Sequence, residues 1–225
     1  MLAAGNPSSP HAFDALSQLC RTYWYPLYAW IRRQGYTPHD AQDLIQGFFA
    51  RLLEQDDLAD VDRSRGKFRS FLLASLKHYV ANERDRLQAW KRGGRHHFVP
   101  LESDTAETRY GAEPADTLSA DRIYERRWAL TILDEVMARL RTEFRHRGKE
   151  NLFDQLKTCL TGDRLDQPYA GLAGELGVSE SAVKVSVHRL RQRYRELLRD
   201  EIAQTVRDPA AVNAELRHLM DILRS

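Results

Sequence analysis

Several things are scarce in this sequence, and each scarcity removes a class of protein. Two cysteines, Cys20 and Cys159, are all that 225 residues contain, and each lies in an apolar helical pattern without a Cys or His at ligand spacing. Buried thiols in a reducing compartment fit that placement, whereas a disulfide framework or a zinc site does not. His96 and His97 are adjacent rather than a helical turn apart, so no metal is expected there either. No apolar run approaches the roughly 20 residues of a membrane helix. The start, MLAAGNPSSPHA, also lacks the basic residues and apolar stretch of a secretory leader. A soluble, cytoplasmic chain with no membrane insertion is the expectation. Missing too are a glycine-rich phosphate loop, a metal-ligand cluster and a nucleophile with its base at a recognisable spacing. The chain is therefore expected to be no enzyme, with no catalytic residues, no cofactor and no metal. Finally, neither sign of charge dominates: 34 Lys and Arg face 32 Asp and Glu, a formal net charge of +2. Global charge does not mark a nucleic-acid binder, and local distribution has to decide.

What is present is helical periodicity. Hydrophobic residues make up 42% of the chain, enough for a core, and they recur by threes and fours. Phe13, Leu16, Cys20, Tyr23, Leu27 and Ile31 predict a first helix, with a kink at Pro26 and an end at Gly35. Thr37 as cap, Pro38 in the first turn and Asp40 behind them predict a second, with Ala41, Leu44, Ile45, Phe48 and Leu52 inward. A third presents Phe68, Phe71, Leu72, Ser75, Leu76, Tyr79 and Val80 on one side. The stretch from Gly93 to Thr117 loses the pattern and carries Glu102, Asp104, Glu107, Glu113 and Asp116, which reads as an acidic linker. A fourth helix from about Asp121 has Ile123, Leu130, Leu133, Met137, Leu140 and Phe144 as its stripe. Asp208 and Pro209 cap a last helix with Val212, Leu216, Leu219 and Leu223 on one face. No strand-length alternation competes. The expected fold is all-α: two small helical domains joined by a flexible linker, the second containing a helix-turn-helix. Expected boundaries are 1–92, a linker over 93–120, 121–206, and a C-terminal helical extension over 207–225.

The helix-turn-helix lies in PYAGLAGELGVSESAVKVSVHRL, residues 168–190. Leu172, Ala173 and Leu176 face inward, Gly177 supplies a positive-φ turn, and Ser179 caps the second helix. There Val183, Val187, Leu190, Tyr194 and Leu197 form the core stripe, leaving Ser181, Val185, His188 and Gln192 opposite, flanked by Lys184, Arg189, Arg191 and Arg195. Small polar and methyl-bearing groups for base edges with cations at the margins for phosphates are what a helix in the DNA major groove requires. With Ser179, these residues are the expected duplex-reading set.

Three segments, DAQDLIQGFFARLL (40–53), GKFRSFLLASLKHYVANERDRLQAWKR (66–92) and the helix-turn-helix, together resemble the sigma factors of bacterial RNA polymerase, in particular the two-domain extracytoplasmic-function group. The resemblance implies core RNA polymerase and promoter DNA as partners. It implies that Asp40, Asp43 and Gln46 bind the polymerase. It further implies that Arg65, Lys67, Phe68, Arg69 and Ser70, continued by Lys77, Asn82, Arg84 and Arg86, recognise the downstream promoter element and capture its melted strand; the helix-turn-helix then reads the upstream element. The spacing of Phe68 with Phe71 and Leu72 favours burial over base stacking, and Trp90 is open to either role. Gln42 and Gly47 stand where that family often has carboxylates, which implies a weaker hold on polymerase or another source of negative charge. A phosphate on Thr37 would add about −1.5 to −2. An anti-sigma factor and a Ser/Thr kinase are accordingly the regulatory partners to consider. The C-terminal helix lies beyond the two-domain pattern: it packs on the second domain, on the first as an inhibitory clasp, or on a partner, and packing within the chain is the default. The competing reading is a conventional helix-turn-helix transcriptional regulator that acts without being a polymerase subunit and binds a palindromic duplex site.

Overall fold

A computed structural model of the chain describes residues 12–54, 67–90, 103–111, 118–161, 169–206 and 208–224. Every regular element among them is helical. In chain order these are α1 (Ala12–Arg33), α2 (Pro38–Glu54), α3 (Phe68–Trp90), α4 (Ser103–Gly111), α5 (Ala120–His146), α6 (Glu150–Leu156), α7 (Thr158–Thr161), α8 (Tyr169–Leu176), α9 (Glu180–Thr205) and α10 (Val212–Arg224), the last preceded by a single 3-10 turn, Pro209–Ala211. The backbone contacts divide the chain into two compact units, residues 1–131 with 204–225, and residues 132–203. α10 falls in the first unit, with α1 to α4 and the start of α5. Among the described residues no helix is long and apolar enough to cross a membrane.

The first unit is built on aromatic residues of α1. Tyr23, Leu27, Tyr28 and Ile31 are fully buried, and burial of each such side chain contributes roughly 1.5–3 kcal/mol. The helix runs on through Pro26 and stops at Gly35, whose φ of 91° is open to glycine at little cost. Thr37 starts α2: its hydroxyl accepts from the Asp40 amide at 3.2 Å and donates to the Asp40 carboxylate at 2.7 Å. Ala41, Gln42, Ile45, Phe48, Phe49 and Leu52 form the buried side of α2. Leu72, Leu76 and Val80 of α3 complete this core, with Phe48 against Tyr79 at 5.8 Å between ring centres.

Two features depart from the sequence expectation. The stretch 103–111, assigned to a flexible linker, is helical and lies against α1 and α2. Among its described side chains Ala106 is buried, Tyr110 is half-buried with Arg32 over its ring at 4.9 Å, and polar pairing adds to these contacts. Arg32 donates through Nε and Nη2 to the two oxygens of Glu107 at 3.0 and 2.7 Å, Tyr28 donates to the same carboxylate at 2.7 Å, and Arg109 lies over the Tyr25 ring. Hydrogen bonding from Arg32 holds the Glu107 carboxyl below its usual range. The buried line of α5 is also different. Tyr124, Trp128, Ile132, Val136 and Leu140, each four residues apart, are fully buried or nearly so, whereas the expected Leu130, Leu133, Met137 and Phe144 are half-buried.

In the second unit, α5 ends at Gly148 (φ 66°), where the Lys149 amide reaches back to the Phe144 carbonyl at 2.8 Å. Phe153, Leu156 and Cys159 of α6 and α7, Leu172 and Ala173 of α8, and Val183, Val187, Leu190, Leu197, Leu198 and Ile202 of α9 are buried. Two cross-helix ion pairs bind α9 to α5. Arg193 donates to both oxygens of Glu143 at 2.9 and 2.7 Å, and Arg139 meets the buried Glu201 at 2.8 Å. The bidentate geometry, with Arg193 as donor, lowers the Glu143 pKa.

Candidate nucleic-acid interface

In the second unit, α8 and α9 are joined by a tight turn. Gly177 has φ 64°, its amide bonds to the Gly174 carbonyl at 3.3 Å, and the Val178 amide bonds to the Ala173 carbonyl at 3.0 Å. Ser179 then caps α9, its hydroxyl accepting from the Ala182 amide at 3.3 Å and lying 3.0 Å from the Ser181 hydroxyl. This cap fixes the rotation of the helix. Val183, Val187 and Leu190 go to the core with Leu172 and Ala173, and Ser181, Lys184, Val185, His188, Arg189, Arg191, Gln192 and Arg195 are left exposed. Val185, an apolar residue, is 50% exposed in the middle of that face. The whole expected duplex-reading set is therefore on the surface, with Ser179 at its start.

Some members are held by neighbours. Lys184 pairs with Glu180 at 2.7 Å, and Arg191 donates through Nε and Nη2 to the Cys159 carbonyl at 3.1 and 2.8 Å. Gln192 donates to Glu196 at 3.2 Å. Tyr169, which the sequence analysis did not single out, joins Lys184, His188, Arg191, Tyr194 and Arg195 around a concavity of about 660 Å³. Its signal was available: an aromatic residue at the first position of α8, next to a basic helix.

In the first unit, Asp40 and Asp43 are exposed on α2 and Gln46 is half-buried. His39 lies 3.1 Å from Asp43 across one turn. Gln42 and Gly47, expected on the polymerase-facing side, point inward instead. Gln42 is 6% exposed, and a Cβ built at Gly47 would fall on the Tyr79 hydroxyl. Packing explains why neither position carries a carboxylate.

The expected strand-capture residues are divided. Arg65 lies outside the described residues, as do His96 and His97, and nothing is described of the Trp90 side chain. Ser70, Lys77, Asn82, Arg84 and Arg86 are exposed, Arg86 pairing with Glu83 at 2.8 Å. Lys77 and Trp30 share the Asp121 carboxylate, Lys77 Nζ at 2.7 Å and Trp30 Nε1 donating at 2.8 Å. Trp30, Tyr36, Lys77, Val80 and Arg84 line a second concavity, of about 390 Å³. Phe68 is half-buried with its ring edge-on to Tyr23 at 5.5 Å, in keeping with its spacing.

Arg69 differs from the other described members in being buried. It is 3% exposed, lies over the Trp128 ring at 4.7 Å, and is ion-paired with Glu215 of α10. Lys67 meets the other oxygen of Glu215 at 2.7 Å. Tyr124 donates to the Arg69 carbonyl at 2.9 Å, and Glu125 lies 3.9 Å from the guanidinium. Burial pushes the pKa of both cations down; Glu125 opposes this at Arg69, and the Arg69 charge adds to it at Lys67. Glu215 itself escaped the sequence analysis although Val212, Glu215, Leu219 and Ile222, spaced by three, four and three, are the buried line of α10. An acid inside an apolar stripe is the signal.

Among the described residues no cluster of three or more His, Cys, Asp or Glu side chains is arranged to hold a metal ion. Cys159 is buried and Cys20 half-buried, both as free thiols, and burial raises the pKa of each. No protein family matches this chain, and no curated protein or solved structure matches it either.

Proposed function

We infer that this chain is a promoter-specificity subunit of bacterial RNA polymerase, similar to the two-domain extracytoplasmic-function sigma factors. In this role the face of α9 enters the upstream major groove, the Asp40 and Asp43 edge of α2 docks on the polymerase, and the basic side of α3 engages the downstream element as it opens. The chain does no bond chemistry of its own; partner binding and strand capture are its work, with polymerase supplying catalysis. The observation that carries the reading is the exposed face of α9, where a positive-φ glycine and a serine cap leave small polar groups, a valine and flanking cations at the surface together. Supporting the polymerase arm, Asp40 and Asp43 are exposed while their neighbours Gln42 and Gly47 serve packing.

The test is co-elution of the purified chain with bacterial core RNA polymerase on size exclusion, with and without Asp40→Ala/Asp43→Ala. A stable complex weakened by the double substitution is expected. Absence of a complex with the cognate core enzyme, together with tight binding to a palindromic duplex, would overturn the reading in favour of a conventional regulator. One observation favours that second reading: Lys67 and Arg69, two of the strand-capture cations, are committed to Glu215.

A further inference from the structure

Glu215 is 1% exposed, and its two carboxylate oxygens are divided between Lys67 and Arg69. Both partners sit at the beginning of α3, Lys67 just before the helix and Arg69 in its first turn. For packing alone this position of α10 calls for an apolar residue, like Val212, Leu219 and Ile222 beside it. Burying a charge removes it from water, and a hydrophobic residue of similar volume commonly serves stability as well or better. The charge is therefore the feature that needs a reason. A carboxylate bridging two cations has the chemistry of a phosphate bridging the same two cations. The opposite side of α10 is exposed at Asn213, Ala214, Arg217 and Met220, so α10 is a short helix attached by one face. An element attached by one face opens at lower free energy than the core.

We propose that α10 is a built-in competitor of single-stranded DNA: Glu215 occupies the cationic pair Lys67 and Arg69 as a strand phosphate would, and the strand gains both cations only when α10 leaves. The proposal rests on the reading of residues 67–70 as strand-capturing. It makes strand binding by the free chain weak and reserves those cations for a state in which α10 is displaced. It also accounts for a capture residue that is 3% exposed: burial belongs to the closed state. Around the pair, Glu125 lies within 3.9 Å of Arg69 and 3.5 Å of His218 of α10, so the closed state satisfies the cations from α5 as well as from α10.

The experiment uses the full chain and a fluorescein-labelled, mixed-sequence single-stranded DNA oligonucleotide, read by anisotropy across a salt series. Glu215→Gln keeps the side chain's shape and removes its charge. It is expected to bind more tightly than the wild type and with a steeper salt dependence. Two released cations at a slope of about 0.7 each add a factor of about seven to the affinity lost between 50 and 200 mM salt. Lys67→Gln/Arg69→Gln placed in the Glu215→Gln chain is expected to remove that increment. An affinity and slope equal to wild type in a folded Glu215→Gln chain overturns the proposal. Should the variant not fold, amide hydrogen exchange of the wild-type chain decides: α10 is expected to lose protection as oligonucleotide is added, and unchanged protection in the bound state overturns the proposal, as does absence of binding by every chain. The proposed function fails separately. Loss of co-elution with core polymerase refutes it even where Glu215→Gln gains DNA, and retained co-elution upholds it even where α10 never opens.

Discussion

Two sets of cations stand in opposite states. On α9, Lys184, Arg189, Arg191 and Arg195 are at the surface; at the start of α3, Arg69 is buried and Lys67 is tied to the same carboxylate. Local geometry decides the first set, because a cap and a turn glycine fix which side of α9 meets the core. A residue far along the chain decides the second. The lesson is that a basic stretch belongs to a surface only after every acid in the chain has been placed.

The comparison breaks most sharply at Arg69. Arg69→Ala leaves Glu215 buried with Lys67 alone, and a loss of about 3 kcal/mol is expected, the scale on which an uncompensated buried charge destabilises a fold. Arg189→Ala on α9 is expected to stay within about 0.5 kcal/mol, as surface substitutions do. Urea unfolding of the two variants checks this, and equal losses would erase the distinction between the two cation sets. Next comes the acidic edge of α2. Gly47→Ala drives a methyl into the Tyr79 hydroxyl, for which about 1–2 kcal/mol is expected from overpacking. Combining it with Tyr79→Phe should restore most of that loss in thermal unfolding, and no restoration would mean that the glycine serves something other than space.

Smaller again is the cap of α9. Ser179→Ala is expected to cost about 1 kcal/mol and to weaken duplex binding more than oligonucleotide capture, since α9 and not α3 depends on that cap; parallel binding curves with duplex and single-stranded DNA test it. The smallest effect is that of pH on Glu143. With Arg193 as donor its carboxyl titrates below the usual 4.5, so its contribution is fully present above that value and disappears as acid carries the pH down through the lowered one. Glu143→Gln should remove under about 1 kcal/mol at pH 7 and flatten the acid limb of the stability profile. A wild-type acid limb retained by the variant would assign that limb to other carboxylates, Glu107 first among them.

What was legible from the sequence is what the chain decides within a few residues. Thr37 and Ser179 cap as expected, Asp208 caps the 3-10 turn that leads into α10, and Gly35 and Gly177 take the positive φ that ends a helix. The stripes of α2 and of the start of α9 follow the same local rule. What was hidden depends on distant partners. Nothing in SDTAETRYG, mostly polar, announces a docked helix; its attachment is Glu107 finding Arg32 and Tyr28 on α1. The α5 stripe was misplaced because two overlapping apolar lines run along that helix, and the larger residues Tyr124 and Trp128 take the core. Gln42 looked like a missing carboxylate because its burial depends on neighbours that periodicity alone does not show.

The mode of attachment of α4 has a consequence of its own. The helices α1, α2 and α3 are joined by aromatic and aliphatic burial, α4 chiefly by a carboxylate shared between a guanidinium and a phenol. Sulfate salts strengthen burial of the first kind, while the ions they bring screen the second. One reagent thus acts on adjacent parts of a single unit with opposite sign: the contacts among α1, α2 and α3 tighten as the hold on α4 weakens.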